Sequence, residues 1–395
     1  MFGVHIVDYT MPKMGYQDFL LPKKLHEYGY KTIIITSDRF TPINNYESTW
    51  GKIMGPRIIG SGDYIEDGLL IRRLKPVFEV QRRILLNGLY TQLKELKPKY
   101  IFVHNILSMN IPIAVFYANK YKIPLFVDSH LTFTSSRSSL IGKLYYLLVK
   151  KYYKKNFKKF SKFYGVAEEC REHMEKFIGI DKKSSTLLPI GIDEKIFFFN
   201  DVYRKKIRSI HNVLDDEILL IQTGKLSSEK GIQLLPQILK RLNRDILTKI
   251  KILLVGDGDS EYLNEHLHKP LRDFSFKSYE IIGFVNYKDL FKYYSAADIV
   301  FYPLASSLSA LEAASCRCIV FMSNTDASKW RAEKGVGFSI NFNDPINSSK
   351  IINYYLSLDK VALEKLKYSA EYAVRESFSY KKIVELFIKD LKEFQ

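Results

Sequence analysis

The sequence predicts an α/β protein of two domains, each built on a mostly parallel sheet with helices on both faces. Three observations lead there. A unit of short apolar run, turn and amphipathic segment recurs along the whole chain, the pattern of parallel strands joined by helical crossovers. Several of the apolar runs are continuous rather than alternating, as strands covered on both faces should be. At 395 residues the chain is also long enough for two separate cores.

In the first half, strands are expected at Val4–Asp8, Thr32–Thr36, Tyr100–His104, Leu125–Asp128, Phe163–Val166 and Thr186–Pro189. A hairpin interrupts the series: Asp67-Gly68, a strong turn signal, lies between Tyr64-Ile65 and Leu69-Leu70-Ile71. In the second half the strands fall at Ile218–Thr223, Lys251–Val255, Tyr279–Ile282, Ile299–Tyr302 and Cys318–Met322. The joint lies in Pro189–Asp193, where strand signals stop and a basic helix begins near Val202. This gives domains over 1–195 and 196–378, followed by a closing helix within 379–395. That helix, Lys381–Phe394, carries Ile383, Val384, Phe387 and Leu391 on one side and has no strand of its own to cover.

Composition narrows the function classes. The hydrophobic share of 46% is that of a folded protein, whereas the net charge of +17 favours anionic partners. Abundant Lys, Ile, Tyr and Asn leave room for a purely compositional origin. Cys170, Cys316 and Cys318 form no paired framework, which argues for a reducing compartment and against a structural disulfide or zinc site. The N-terminus lacks the pattern of a secretory signal, and no apolar run reaches the roughly 20 residues of a membrane-spanning helix. The expectation is a cytoplasmic protein, at most peripheral on the inner face of the plasma membrane.

Ligands of open α/β sheets bind beyond the carboxyl ends of the strands, so the strand-to-helix junctions are the candidate sites. Gly224–Gly231 (GKLSSEKG) follows an apolar strand and carries Lys225 and Lys230, two ammonium groups suited to a diphosphate. The same residues also read as a solvated basic loop. Val255–Asp259 (VGDGD) is half a dinucleotide fingerprint with Glu261 where the third glycine belongs, which discounts NAD. Its aspartates suit a metal pair or, equally, helix capping; no metal is expected.

Tyr302–Ala314 (YPLASSLSALEAA) opens a helix with small hydroxyl residues and offers backbone N–H groups to phosphate. Glu312 stands three residues after Ser309, a capping-box spacing, so it is either a cap partner or a carboxylate that grips sugar hydroxyls. In the first half, Gly15 would admit close backbone approach of a ligand, and His104 and His130 each end a predicted strand.

These junctions, in this order, resemble family 4 of the glycosyltransferases, whose fold is called GT-B: two Rossmann-like domains facing across a cleft, with the C-terminal helix crossing back to the N-terminal domain. The likeness runs over nearly the whole chain. It is carried by Gly15–Asp18, Lys31–Asp38, Asp67–Leu74, the two histidine-bearing strands, Leu188–Phe197, Thr223–Leu235, Leu253–Gly258, Ile282–Val285, Ala296–Pro303 and Leu311–Val320. It implies a retaining, metal-independent transfer from a nucleotide-diphosphate sugar to a glycan or lipid-linked acceptor, without a cofactor. Lys225 and Lys230 would hold the diphosphate, Val285 the base and Glu312 the ribose. Gly224, Gly256 and the run Ser307, Leu308, Ser309 and Ala310 would line the donor site. Gly15 and His130 would meet the transferred sugar, and Tyr16, Gln17 and His104 the acceptor.

One departure stands out. The family usually carries a second glutamate eight residues before Glu312, where this chain has Leu304. Ser306, Ser307 or Ser309 substitutes, or sugar handling is unusual, or activity is lost. Two further readings stay open: a nucleotide-sugar 2-epimerase, which the loss disfavours because elimination needs placed carboxylates, and a non-catalytic nucleotide-sugar-binding subunit, which the loss motivates.

The segment 139–163 (SLIGKLYYLLVKKYYKKNFKKFSKF) reads as one basic helix. Lys150, Lys154, Lys158 and Lys162 form a stripe, with Lys151, Lys155 and Lys159 beside it and Ile141, Leu144, Leu148 and Tyr152 on a neighbouring face. Such a helix suits an anionic membrane surface, or is simply a solvated face. No nucleic-acid-binding motif accompanies the charge, so nucleic acid is not expected as a partner.

Overall fold

The computed structural model describes residues 1–43, 46–47, 50–133, 140–272, 276, 278–304 and 308–394. It divides into two compact units: Met1–Gly191 with Tyr380–Gln395, and Ile192–Ser379. The division falls within the Pro189–Asp193 joint, a little before the 195/196 boundary drawn from it. The two ends of the second unit meet, since the Ile192 amide donates to the Phe378 carbonyl at 2.8 Å.

In the first unit the strands are β1 (Phe2–Val7), β2 (Lys31–Ser37), β3 (Gly62–Glu66), β4 (Leu69–Leu74), β5 (Pro76–Val80), β6 (Arg83–Leu86), β7 (Tyr100–His104), β8 (Leu125–Ser129), β9 (Lys162–Gly165) and β10 (Ser185–Leu187). Among the described residues the main sheet runs β10-β9-β8-β7-β1-β2-β4-β3. Only β3 and β4 pair antiparallel there, through the expected Asp67-Gly68 turn, whose φ angles are 48° and 80°. Both residues are thus left-handed, which is what a two-residue hairpin demands. The separate β5–β6 hairpin was not anticipated. Its turn residues, Gln81 and Arg82, adopt φ of 47° and 64° without glycine or asparagine to announce it.

β7 and β8 are buried along their whole length, which fixes their register in the sheet. The last helix, Tyr380–Lys392, belongs to this unit and covers one face of its sheet. Its buried Ile383, Val384, Phe387 and Leu391 join Phe102, Phe126 and Tyr164 in one cluster. Asp390 accepts from Lys162 Nζ at 2.6 Å and from the Tyr164 hydroxyl at 2.8 Å, anchoring the helix to β9.

That anchor corrects the reading of 139–163. The helix spans Leu140–Asn156, a 3-10 turn follows at Phe157–Lys159, and Lys162 opens β9. Lys162 is drawn out of the basic stripe by its carboxylate partner. Ser139 lies outside the described residues.

The second unit is a sheet of β11 (Ile218–Thr223), β12 (Ile250–Val255), β13 (Ser278–Ile281), β14 (Ile299–Tyr302), β15 (Ile319–Ser323) and β16 (Phe338–Ile340). The order is β13-β12-β11-β14-β15-β16, with every pair parallel. β11 and β14 lie at the centre, so the loops that follow them open on the same edge.

Candidate functional site

The site in the second unit is built from the turns after β11, β12 and β14. The Gly224 amide donates to the Val255 carbonyl at 3.0 Å, and the Leu226 amide to that of Asp257 at 2.8 Å. These bonds draw the two turns together so closely that a β-carbon on Gly256 would lie 1.9 Å from the Gly224 carbonyl oxygen. Gly224 has φ of 106°, and nothing stands within 4 Å of the place its own side chain would occupy. Its backbone is bare to a ligand.

Lys225 follows, exposed. The Ser228–Lys230 turn then ends on Gly231, which has φ of 78°. A β-carbon there would meet Pro303 Cβ at 2.8 Å and Leu304 Cγ at 2.9 Å. Pro303 and Leu304 lead from β14 toward the Ser309–Ser315 helix, so the lysine turn rests on the approach to that helix. Leu304 itself packs against the apolar cluster of Leu226, Ile232 and Leu235. Ala305, Ser306 and Ser307 lie outside the described residues.

Glu312 is 2% exposed, and the Ser309 and Tyr287 side chains act on its carboxyl. Burial pushes the carboxyl up to about 7, and these two neighbours only partly oppose that. The expected capping box does not form as spaced: Leu308 is the N-cap, and Ser309 and Ala310 lie in the first turn. Beneath that turn the Tyr302 hydroxyl donates to the Ser309 carbonyl at 3.0 Å and bonds Thr223 Oγ1 at 3.1 Å, tying the ends of β11 and β14. Val285 lies partly buried after Gly283, whose φ is 77°. Asp259 caps the next helix by accepting from the Tyr262 amide at 2.8 Å, which gives it the structural role.

The first unit gathers a second cluster at the carboxyl ends of β7 and β8. His104 Nδ1 donates to Asp128 Oδ2 at 2.8 Å, and the Asn105 amide donates to Asp128 Oδ1 at 2.8 Å. His130 Nε2 approaches the same Oδ2 at 3.4 Å, with its side chain 37% exposed. Behind His104, its Nε2 meets His5 Nδ1 at 2.9 Å, and His5 Nε2 meets the Tyr100 hydroxyl at 3.2 Å. Burial favours the neutral form of His5, lowering its pKa. Burial also opposes ionisation of Asp128, but His104 and His130 outweigh it and hold the carboxyl well below the usual range. For His130 burial acts downward, yet the Asp128 carboxylate raises the imidazole above its ordinary value.

Gly15, φ 70°, closes a 3-10 turn and precedes the Gln17–Glu27 helix. Tyr16 is 40% exposed, while Gln17 is buried with neither amide atom bonded among the described residues. Asp18, next along, is pushed by burial up to about 6 and feels both His104 and His130. Tyr16, Gln17 and Asp18 thus start a helix whose first turn includes a residue electrostatically coupled to the histidines.

Among the described residues His104, Asp128 and His130 bring their possible ligand atoms within 4.8 Å of one another. Both ring nitrogens of His104 are engaged, by Asp128 and His5, so the trio is joined in one hydrogen-bond cluster. Sequence reasoning singled out the two histidines but passed over Asp128, His5 and Tyr302. Asp128 carried a signal, because residues two apart on a strand share a face and Asp128 stands two before His130. His5 and Tyr302 carried none, as each reads as an ordinary strand residue.

Residues 203–375 match the family described as glycosyl transferases group 1. The match lies within the second unit, Ile192–Ser379. The curated relative MJ1607 of Methanocaldococcus jannaschii, an uncharacterized glycosyltransferase, is 30% identical over 152 residues. That stretch is 35% of this chain and only 35% of the relative's length. Beyond that match, whole-chain likeness comes from solved structures. HepE of Anabaena, solved with UDP, superposes with a TM-score of 0.72 over 100% of both chains at 14% identity. A glycosyltransferase from Rickettsia africae gives 0.71 at 16% identity, covering 100% of this chain and 98% of that one. Sucrose-phosphate synthase from Thermosynechococcus elongatus gives 0.66 at 14%, covering 99% and 98%. Together with the parallel sheets and the returning helix, these establish the GT-B fold.

Proposed function

We propose that the protein is a retaining, family 4 glycosyltransferase that moves a sugar from a nucleotide-diphosphate sugar to a glycan or lipid-linked acceptor in cell-surface polysaccharide synthesis. The observation that carries the reading is the seating of Gly231 on Pro303 and Leu304, which sets the Lys225–Lys230 turn beside the approach to the Glu312 helix. Two cations and a bare glycine backbone then border one edge of the sheet, the chemistry a diphosphate requires. HepE was solved with UDP and, separately, with UDP-glucose, which makes uridine diphosphate sugars the first donors to test.

On this reading Lys225, Lys230, Gly224 and Gly256 hold the diphosphate, helped by Ser307, Leu308, Ser309 and Ala310. Glu312 takes the ribose and Val285 the base. Gly15 and His130 serve the transferred sugar; Tyr16, Gln17 and His104 serve the acceptor. The acceptor oxygen bonds to the anomeric carbon as the bond to the β-phosphate oxygen breaks on the same face. The acceptor's proton passes to the departing phosphate, whose growing charge the two lysines neutralise, so no metal is required.

A membrane surface is the proposed second partner. In the Leu140–Asn156 helix Leu144, Leu147 and Leu148 are 59%, 64% and 59% exposed, beside exposed Lys143, Lys150, Lys151, Lys154 and Lys155. Apolar side chains left in water next to lysines match the interface of an anionic bilayer. Among the described residues no helix is long and apolar enough to cross a membrane.

The test is incubation with a panel of nucleotide sugars and acceptors, following nucleoside diphosphate. Acceptor-dependent release with retained configuration supports transfer. Inversion at C2 without acceptor, or binding with no turnover on any donor, would overturn it.

A further inference from the structure

Asp128 is 0% exposed and makes more contacts than a strand-end carboxylate needs. Its Oδ1 takes the Asn105 amide, and its Oδ2 takes His104 at 2.8 Å and His130 at 3.4 Å. His104 is itself held from behind by His5 and Tyr100, and His5 is stacked on Phe102 with ring centroids 5.3 Å apart and planes 5° off parallel. All four ring nitrogens of His5 and His104 have partners, whereas on His130 Nε2 is used and no hydrogen bond to Nδ1 occurs among the described residues.

With a neutral His104, the carboxylate requires its proton on Nδ1. His5 then donates through Nδ1 to His104 Nε2, and Tyr100 donates to His5 Nε2. Each tautomer follows from the one before, and in either charge state of His104 its Nδ1–H ends the chain on the Asp128 carboxylate.

We propose that Asp128 is a positioning residue, anchored by Tyr100–His5–His104, that orients His130 with Nε2 inward and Nδ1–H as the unspent donor for a hydroxyl or phosphate oxygen of the substrate. This rests on His130 serving the transferred sugar. A carboxylate against one nitrogen keeps the imidazole charged, and a charged donor forms the stronger hydrogen bond. The groups that face His130 are Asp128 on β8, Asp18 on the Gln17–Glu27 helix and His104 on β7, and Cys170 on the Glu168–His173 helix lies near Asp128. Asp18 adds to the raising of His130 and is pushed by burial up to about 6, so its contribution is lost first as pH falls.

The experiment is an NMR titration of the imidazole nitrogens of the full chain, wild type beside Asp128→Asn and Asp128→Glu, with steady-state kinetics on each. In the wild type His130 titrates above the ordinary 6.5 with Nε2 bonded, and in Asp128→Asn its midpoint moves to lower pH. Turnover in Asp128→Asn falls about 100-fold with KM little changed, as misorientation of one contact predicts, and Asp128→Glu recovers part of it. A wild-type midpoint at or below 6.5 overturns the proposal even if no variant folds, and so does an unchanged midpoint in a folded Asp128→Asn. If the titrations come out as expected but no nucleotide sugar is turned over, the positioning stands and the glycosyltransferase reading falls.

Discussion

The Gly224 carbonyl oxygen occupies the space a β-carbon of Gly256 would need, 1.9 Å from it. Position 256 cannot carry a side chain without the two turns parting. Gly256 also has φ of 151°, a conformation L side chains rarely adopt. Gly256→Ala therefore combines a backbone clash with strain and should cost about 1–3 kcal/mol or more. Thermal unfolding checks this: a variant as stable as wild type would mean that the turns are not held together as described.

Lys225 and Lys230 have no ion-pair partner among the described residues and contribute little to the fold. Replacing either by alanine should leave the melting temperature within a degree or two and lower turnover by about 100- to 1,000-fold, the scale for losing one group that stabilises transition-state charge. Near-normal turnover in Lys230→Ala on a working donor would refute the diphosphate assignment.

Glu312 gives stability a pH dependence of known sign. Its folded value is about 7, against 4.5 for the ordinary group. Between those values the folded protein keeps a proton that the unfolded chain releases, so stability is full below 4.5 and falls as pH rises toward 7. The loss is at most about 3.5 kcal/mol, at about 1.4 kcal/mol per pH unit. Glu312→Gln removes the titrating group, and its denaturant midpoint should fall less than that of wild type between pH 5 and pH 8. Parallel curves for the two proteins would show that Glu312 does not titrate there.

Phe387 holds the last helix to the first unit with 0% exposure, among Phe102, Phe126 and Tyr164. Truncation to alanine leaves a cavity that the surrounding rings cannot fill. A loss of about 3–5 kcal/mol is expected, seen as an earlier unfolding transition.

The exposed face of the Leu140–Asn156 helix gives a binding prediction that leaves the fold untouched. Leu144→Ser with Leu147→Ser and Leu148→Ser should abolish pelleting with anionic vesicles at low salt while the melting temperature holds. Glutamine at Lys150, Lys151, Lys154 and Lys155 should weaken pelleting by about 1 kcal/mol per lysine. Equal recovery of wild type and both variants in the supernatant would remove the membrane from the function.

The Asp67-Gly68 hairpin was legible because its residue types permit few alternatives to a tight turn, while the Gln81-Arg82 hairpin was not, since neither residue announces a left-handed backbone. The basic segment was misread at its end for a different reason. Lysines recur at helical spacing through Lys162, and the group that breaks the pattern, Asp390, is 228 residues further on. At the second unit's site Lys225, Lys230 and Glu312 were visible as charges beside apolar strands. That Leu304 faces an apolar cluster, and that Ser309 sits inside the helix instead of capping it, depends on packing that no local pattern encodes.

By itself the sequence determined the α/β architecture, the strand positions and the junctions where chemistry gathers, because backbone propensity and side-chain periodicity act over a few residues. Only the tertiary structure decided that Asp128 joins two histidines, that His5 and Tyr100 stand behind them, and that Gly231 lies on Leu304. Those relationships need residues up to a hundred positions apart to be brought within hydrogen-bonding or van der Waals distance, and the pairing of parallel strands is what brings them there.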